Sequence, residues 1–168
     1  MDRLLNWLEK PIDLMFWASL AAGALMMLHV TVDVGGRYLF NRPFEGTTEI
    51  VAVYYMVMIA YAPWAWIAVR DNHIVAGMFQ TIGTPRYDFW LEIVVKIVTG
   101  FCVAVFTYQT SVQALRQTRA GEVWLAGTMY IPAWPSRWVL PVSGGLMVLY
   151  LVLRVARDAA RGPAPAKP

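Results

Sequence analysis

The chain has 168 residues, of which 58% are hydrophobic, 14% aromatic and only 15% charged, with a net charge of +3. Ordinary soluble domains carry about 25% charged residues, so this composition excludes a water-soluble globule and indicates an integral membrane protein. A single cysteine, Cys102, excludes a disulfide framework, and no basic stripe is interleaved with stacking aromatics, so nucleic acid is not an expected partner.

Residues Met1–Asp13 mix charges with Leu4, Leu5, Trp7 and Leu8 and read as a short amphipathic interfacial helix, after which Pro11 should break or open the next helix. Residues 12–34 then suffice for a first span, since a hydrocarbon core about 30 Å thick needs about 20 apolar residues. Asp2, Glu9 and Asp13 argue against a cleavable leader ending at Ala22-Gly23-Ala24, as does the apolar sequence that continues past that site.

A second span is expected over 43–69, with Pro43 at the first helical position, Glu45 near the positive end of the helix dipole, and a kink at Pro63. The polar connection from Arg70 to Asp88 contains His73–Ile82, a short apolar stretch suited to the membrane surface. A third span over 87–119 is longer than one bilayer requires, and Glu92 and Lys96 form an i,i+4 pair in the favourable order. A loop carrying Trp124, Gly127, Tyr130, Pro132, Trp134 and Pro135 leads to a fourth span over 136–155. The basic Pro/Ala-rich segment 159–168 is expected to be disordered. The expected fold class is therefore all-α, with four transmembrane helices and possible short interfacial ones.

Nine basic residues fall on the side of the termini and 5 on the other (Arg37, Arg42, Arg116, Arg119 and Arg137), which places both termini in the cytoplasm. The tryptophans agree, Trp7, Trp64, Trp66 and Trp90 lying near one interface and Trp124, Trp134 and Trp138 near the other. This topology sets His29 and His73 toward opposite faces, so they cannot share a haem iron. No Ser–His–Asp set, phosphate loop or clustered Cys/His ligands appear, so neither an enzyme nor a cofactor or metal site is expected. The spans carry almost no ionisable residue at mid-depth and no repeated halves, which argues against a self-sufficient transporter and for an accessory subunit.

The stretch Asp33–Glu49 carries the pattern D-V-x-x-R-Y-x-F-N-x-P-x-x-x-x-x-E, and an aromatic-rich helix ending in R-D-N-H-I follows it. With the four spans, the long third helix and the proline-bearing approach Ile131-Pro132 through Trp138 to the fourth, the chain resembles the DctQ-type small membrane subunit of tripartite ATP-independent periplasmic (TRAP) transporters. It departs from that pattern at Gly46-Thr47-Thr48, where a bulkier residue is expected. The resemblance implies a bacterial inner-membrane importer in which a periplasmic binding protein captures an organic acid and a large sodium-coupled permease subunit carries it inward. The small subunit would brace the large one, with membrane lipids as further neighbours. Asp33 and Arg37 are then expected to pair, and Glu49 to share Arg37. Tyr38 reads as interface packing, Asn41 and Pro43 as turn and helix-start residues, Arg70 and His73 as anchor or subunit contact, and Trp134 and Trp138 as belt or partner contacts. A membrane anchor of another complex and a self-associating channel remain as alternatives.

Overall fold

The computed structural model describes residues 2–41, 45–70 and 85–161. The expected helix start at Pro43, the turn and surface segment around His73, and positions 162–168 of the tail lie outside the described residues. Among those described, four helical segments are long and apolar enough to cross a membrane: Leu5–Phe40, Thr47–Arg70, Ile93–Ala120 and Ser136–Ala160.

Helix α1 runs unbroken over Asp2–Phe40, so the expected separate amphipathic helix is instead the beginning of one rod. Pro11 lies inside it. Packing explains the continuity. Leu5 and Ile12, on either side of the proline, are buried in one cluster with Ala65 and Tyr150, which holds both sides on the same neighbours and overrides the weak local preference. At 39 residues the rod is about 58 Å long, well beyond a hydrocarbon core of about 30 Å. Asn41 ends it in a left-handed conformation (φ 51), which asparagine tolerates better than most residues.

The second span is assembled from pieces: α2 (Thr47–Ile50), a π-helical turn (Val51–Tyr55), α3 (Met56–Tyr61) and α4 (Trp64–Arg70). Its first turn follows Gly46 (φ 82), so Glu45 precedes the helix rather than lying inside it, and Glu49 is the acid of the first turn. The break at Ala62-Pro63 is sealed from outside the span. The hydroxyl of Ser143, itself fully buried, donates to the Ala62 carbonyl at 3.3 Å. Phe16 of α1 stacks on Trp66 of α4 with ring centroids 4.0 Å apart.

Helix α5 (Pro85–Ala120) packs along α6 (Val139–Arg161), and Ala159–Arg161, expected in the disordered tail, form the last residues of α6. Between the two helices, the segment expected as a loop folds into an antiparallel hairpin of β1 (Val123–Ala126) and β2 (Met129–Pro132), pairing Val123 with Pro132 and Ala126 with Met129. Gly127 at its turn has φ 60, a conformation that glycine adopts without strain. A 3-10 turn, Ser136–Trp138, leads into α6.

Candidate functional site

Ion pairs gather at the two ends of the helical bundle. At the end where α1 finishes and α6 begins, Arg37 Nη2 donates to Asp33 Oδ2 at 2.9 Å, one turn apart on α1. The pair is lopsided: the Asp33 side chain is 6% exposed and the Arg37 side chain 62%. The acid is thus packed inward while its cation reaches outward along the helix. Glu49 forms no ion pair among the described residues, so the expected sharing of Arg37 does not occur among them.

The hairpin is clamped to the rest of this end from three directions. Glu45 accepts hydrogen bonds from the Thr128 hydroxyl and from its backbone N–H, the latter at 3.3 Å. These bonds, led by the hydroxyl, hold the Glu45 carboxyl below its ordinary range. The two segments approach closely here, since a Cβ on Gly46 would lie 3.0 Å from Ala126 Cβ, and one on Gly127 would lie 3.1 Å from the Glu45 carboxylate. The Tyr54 hydroxyl donates to the Pro132 carbonyl. The π-helical turn carrying Tyr54 also sets Tyr55 edge-on to His29, with centroids 5.9 Å apart.

At the base of the hairpin Glu122 receives Arg137 in fork geometry, Nη2 to Oε1 at 2.8 Å and Nε to Oε2 at 3.1 Å. The Arg137 hydrogen bonds hold the Glu122 carboxyl below its ordinary range. Trp124 Nε1 also donates to Glu122 Oε1 at 3.2 Å, and Trp138 Nε1 donates to Thr118 Oγ1 at 3.0 Å, tying the start of α6 to the end of α5. Trp134 and Tyr38 are exposed, at 37% and 88%.

At the end where α1 begins and α6 finishes, Asp158 gathers cations from two helices. Lys96 Nζ of α5 lies 2.8 Å away, Arg157 Nε 3.5 Å and Arg154 Nε 3.9 Å. Arg154 also donates to the Tyr150 hydroxyl at 3.1 Å, and Tyr150 is buried against Leu5 and Ile12 of α1. The Arg70 guanidinium lies 5.4 Å from the Trp66 ring centre. The Glu92 side chain and His73 lie outside the described residues; among those described, Lys96 pairs with Asp158.

This geometry fastens helices to one another, and no group of three or more potential metal ligands occurs among the described residues. The family described as "Tripartite ATP-independent periplasmic transporters, DctQ component" matches residues 26–161. The chain belongs to the DctQ family. No curated protein matches it. The DctQ match takes in the Asp33–Arg37 pair, the hairpin with both of its carboxylate clamps, and the Lys96–Asp158 pair, and it begins within the C-terminal half of α1. As a DctQ component the chain is a small membrane subunit of a TRAP transporter, a component class that is not an enzyme class.

Several of the fastening residues of this DctQ chain are not singled out by sequence. Arg154 and Asp158 stand four apart on α6, a spacing that would have signalled their proximity. Glu122 and Arg137 are 15 residues apart, and Glu45 and Thr128 are 83 apart, so no helical or strand period links either pair.

Proposed function

We propose that this chain braces the large permease subunit of a TRAP importer in the bacterial inner membrane, with both termini in the cytoplasm. In that importer a periplasmic binding protein delivers an organic acid, and the permease carries it with sodium. The observation that supports this reading best is that the chain ties its helix ends firmly while covering little of its own span surface. Between 6% and 28% of the residues in each span's apolar window are buried within the chain, which leaves the rest available to neighbours. Carboxylate clamps meanwhile fix the helices at both ends. A part built in this manner presents a stiff lateral surface.

Reconstitution tests the role. Proteoliposomes holding the large subunit and this chain, supplied with the binding protein and an inward sodium gradient, are expected to accumulate substrate, and omitting this chain should abolish uptake. Uptake at an undiminished rate by the large subunit alone would overturn the bracing role. Uptake that persists without sodium would overturn the coupling.

A further inference from the structure

Helix α5 meets α6 along one side. Lys96 reaches Asp158, Gly100 lies against Leu151, and Thr107 lies against Gly144, all on α6. Phe106, about 100° round the helix from these, meets Trp64 of α4 with ring centroids 5.7 Å apart. At about 100° per residue the face opposite Lys96, Gly100 and Thr107 carries Val98, Cys102, Val105, Gln109 and Arg116, with Gln113 at its edge, seven residues on from Phe106. All six are exposed.

The polar members of this face sit where lipid offers them nothing. Lys96 and Arg116 are separated by about 30 Å of helix, the thickness of a hydrocarbon core. With those two charges near the boundaries, Gln113 lies about 5 Å and Gln109 about 10 Å inside the core. A glutamine amide offers two N–H donors and a carbonyl acceptor, and acyl chains satisfy neither. Neither glutamine makes a side-chain hydrogen bond among the described residues. Exposed amides at that depth are the groups that join one transmembrane helix to another.

A second copy of this chain is disfavoured by charge. Two copies in the same membrane orientation, meeting through this face about a twofold axis along the membrane normal, would set Arg116 against Arg116. The complementary occupant is a different helix, with an acceptor for Arg116 and hydrogen-bonding groups at the depth of the two glutamines. Resting on the bracing role proposed above, we propose that this face of α5 seats a transmembrane helix of the large permease subunit.

The test uses the full chain co-expressed with the large subunit. A photoreactive benzoylphenylalanine replacing Val105 or Gln109 is expected to cross-link to the large subunit on illumination in membranes. The double variant Gln109→Leu/Gln113→Leu keeps a helix-forming, more apolar span, so it should insert at the normal level. It should also retain about five- to tenfold less large subunit on purification, the loss expected for two interhelical hydrogen bonds. Cross-links to lipid alone or to a second copy, or full retention by the double variant, would overturn this assignment while the unmutated chain still co-purified with the large subunit. If the unmutated chain itself failed to retain the large subunit, the bracing role would fall, and this assignment with it.

Discussion

A side chain on Gly144 would place its Cβ 2.3 Å from Thr107 Oγ1 and 3.4 Å from Thr107 Cβ, so α5 and α6 meet at a point where only a hydrogen fits. Thr107 is β-branched and stiff at χ1, so it yields poorly. Gly144→Ala gains about 1 kcal/mol in helix propensity, against an overpacking cost of about 1–3 kcal/mol. The clash here involves an atom one bond from the Cβ, so the cost should dominate and the variant should be less stable in unfolding followed by circular dichroism in detergent. Thr107→Ala in the same background removes the clashing oxygen and should restore most of the loss. Additive losses in the double variant would refute the contact.

Ser143 is fully buried and bonds the Ala62 carbonyl beside Pro63. Ser143→Ala should cost about 0.5–1.5 kcal/mol, the net worth of one hydrogen bond. Ser143→Val should cost more, because it also adds volume to a filled site. Hydrogen exchange of the amides around residue 62 should accelerate in both. Equal stability of the alanine variant and the unmutated chain would show that the break needs no such support.

The unequal burial of Asp33 and Arg37 makes their substitutions unequal. Arg37→Ala deprives a buried carboxylate of this partner and should cost about 1–3 kcal/mol, below the 3–5 kcal/mol of fully buried pairs because Arg37 is largely exposed. Asp33→Asn leaves an exposed guanidinium that water can serve and should cost less. In the assembled transporter Arg37→Ala should weaken co-purification of the large subunit more than it alters the substrate profile. The reverse pattern would assign Arg37 a direct transport role.

Acid should loosen the hairpin. The carboxyls of Glu45 and Glu122 are both lowered in the fold, by Thr128 and Arg137 respectively, so each favours the folded state when ionised. Their contribution is present above the ordinary carboxylate range near pH 4 and is lost as pH falls through the lowered values. Trp124, bonded to Glu122, should report the change in its fluorescence below about pH 4. Glu122→Gln should flatten that transition, and an unchanged titration in this variant would exclude Glu122 as its source.

Asp158→Ala removes the acceptor that Lys96 shares with two arginines of α6. The loss should approach the 3–5 kcal/mol of a broken buried pair but stay below it, since the Asp158 side chain is 21% exposed. Lys96→Ala should be milder, because Asp158 keeps its arginine neighbours. Thermal unfolding in detergent would rank the two, and the opposite order would place the main role on Lys96.

The helices were legible because length and apolar content alone decide whether a segment can span a bilayer, and the Asp33–Arg37 pair because its spacing is that of one helical turn. What escaped depends on distant contacts. The unbroken course of α1 through Pro11 depends on Tyr150, which lies 139 residues further on and holds Leu5 and Ile12 in place. The hairpin is framed by Glu45 and Arg137, neither of which belongs to its strands. The aromatic loop reads as a membrane belt because Trp and Tyr favour interfaces whether or not their backbone pairs.

The π-helical turn at Val51–Tyr55 accommodates one residue more than an α-helical turn. Deleting one residue there would return the turn to α-geometry while leaving Trp64 aimed at Phe106 and Trp66 at Phe16, whereas a deletion anywhere else in the span would rotate one part by about 100°. Kindred chains can therefore differ in length by a single residue at this point and keep both the approach of Gly46 to the hairpin and the aromatic contacts of α4.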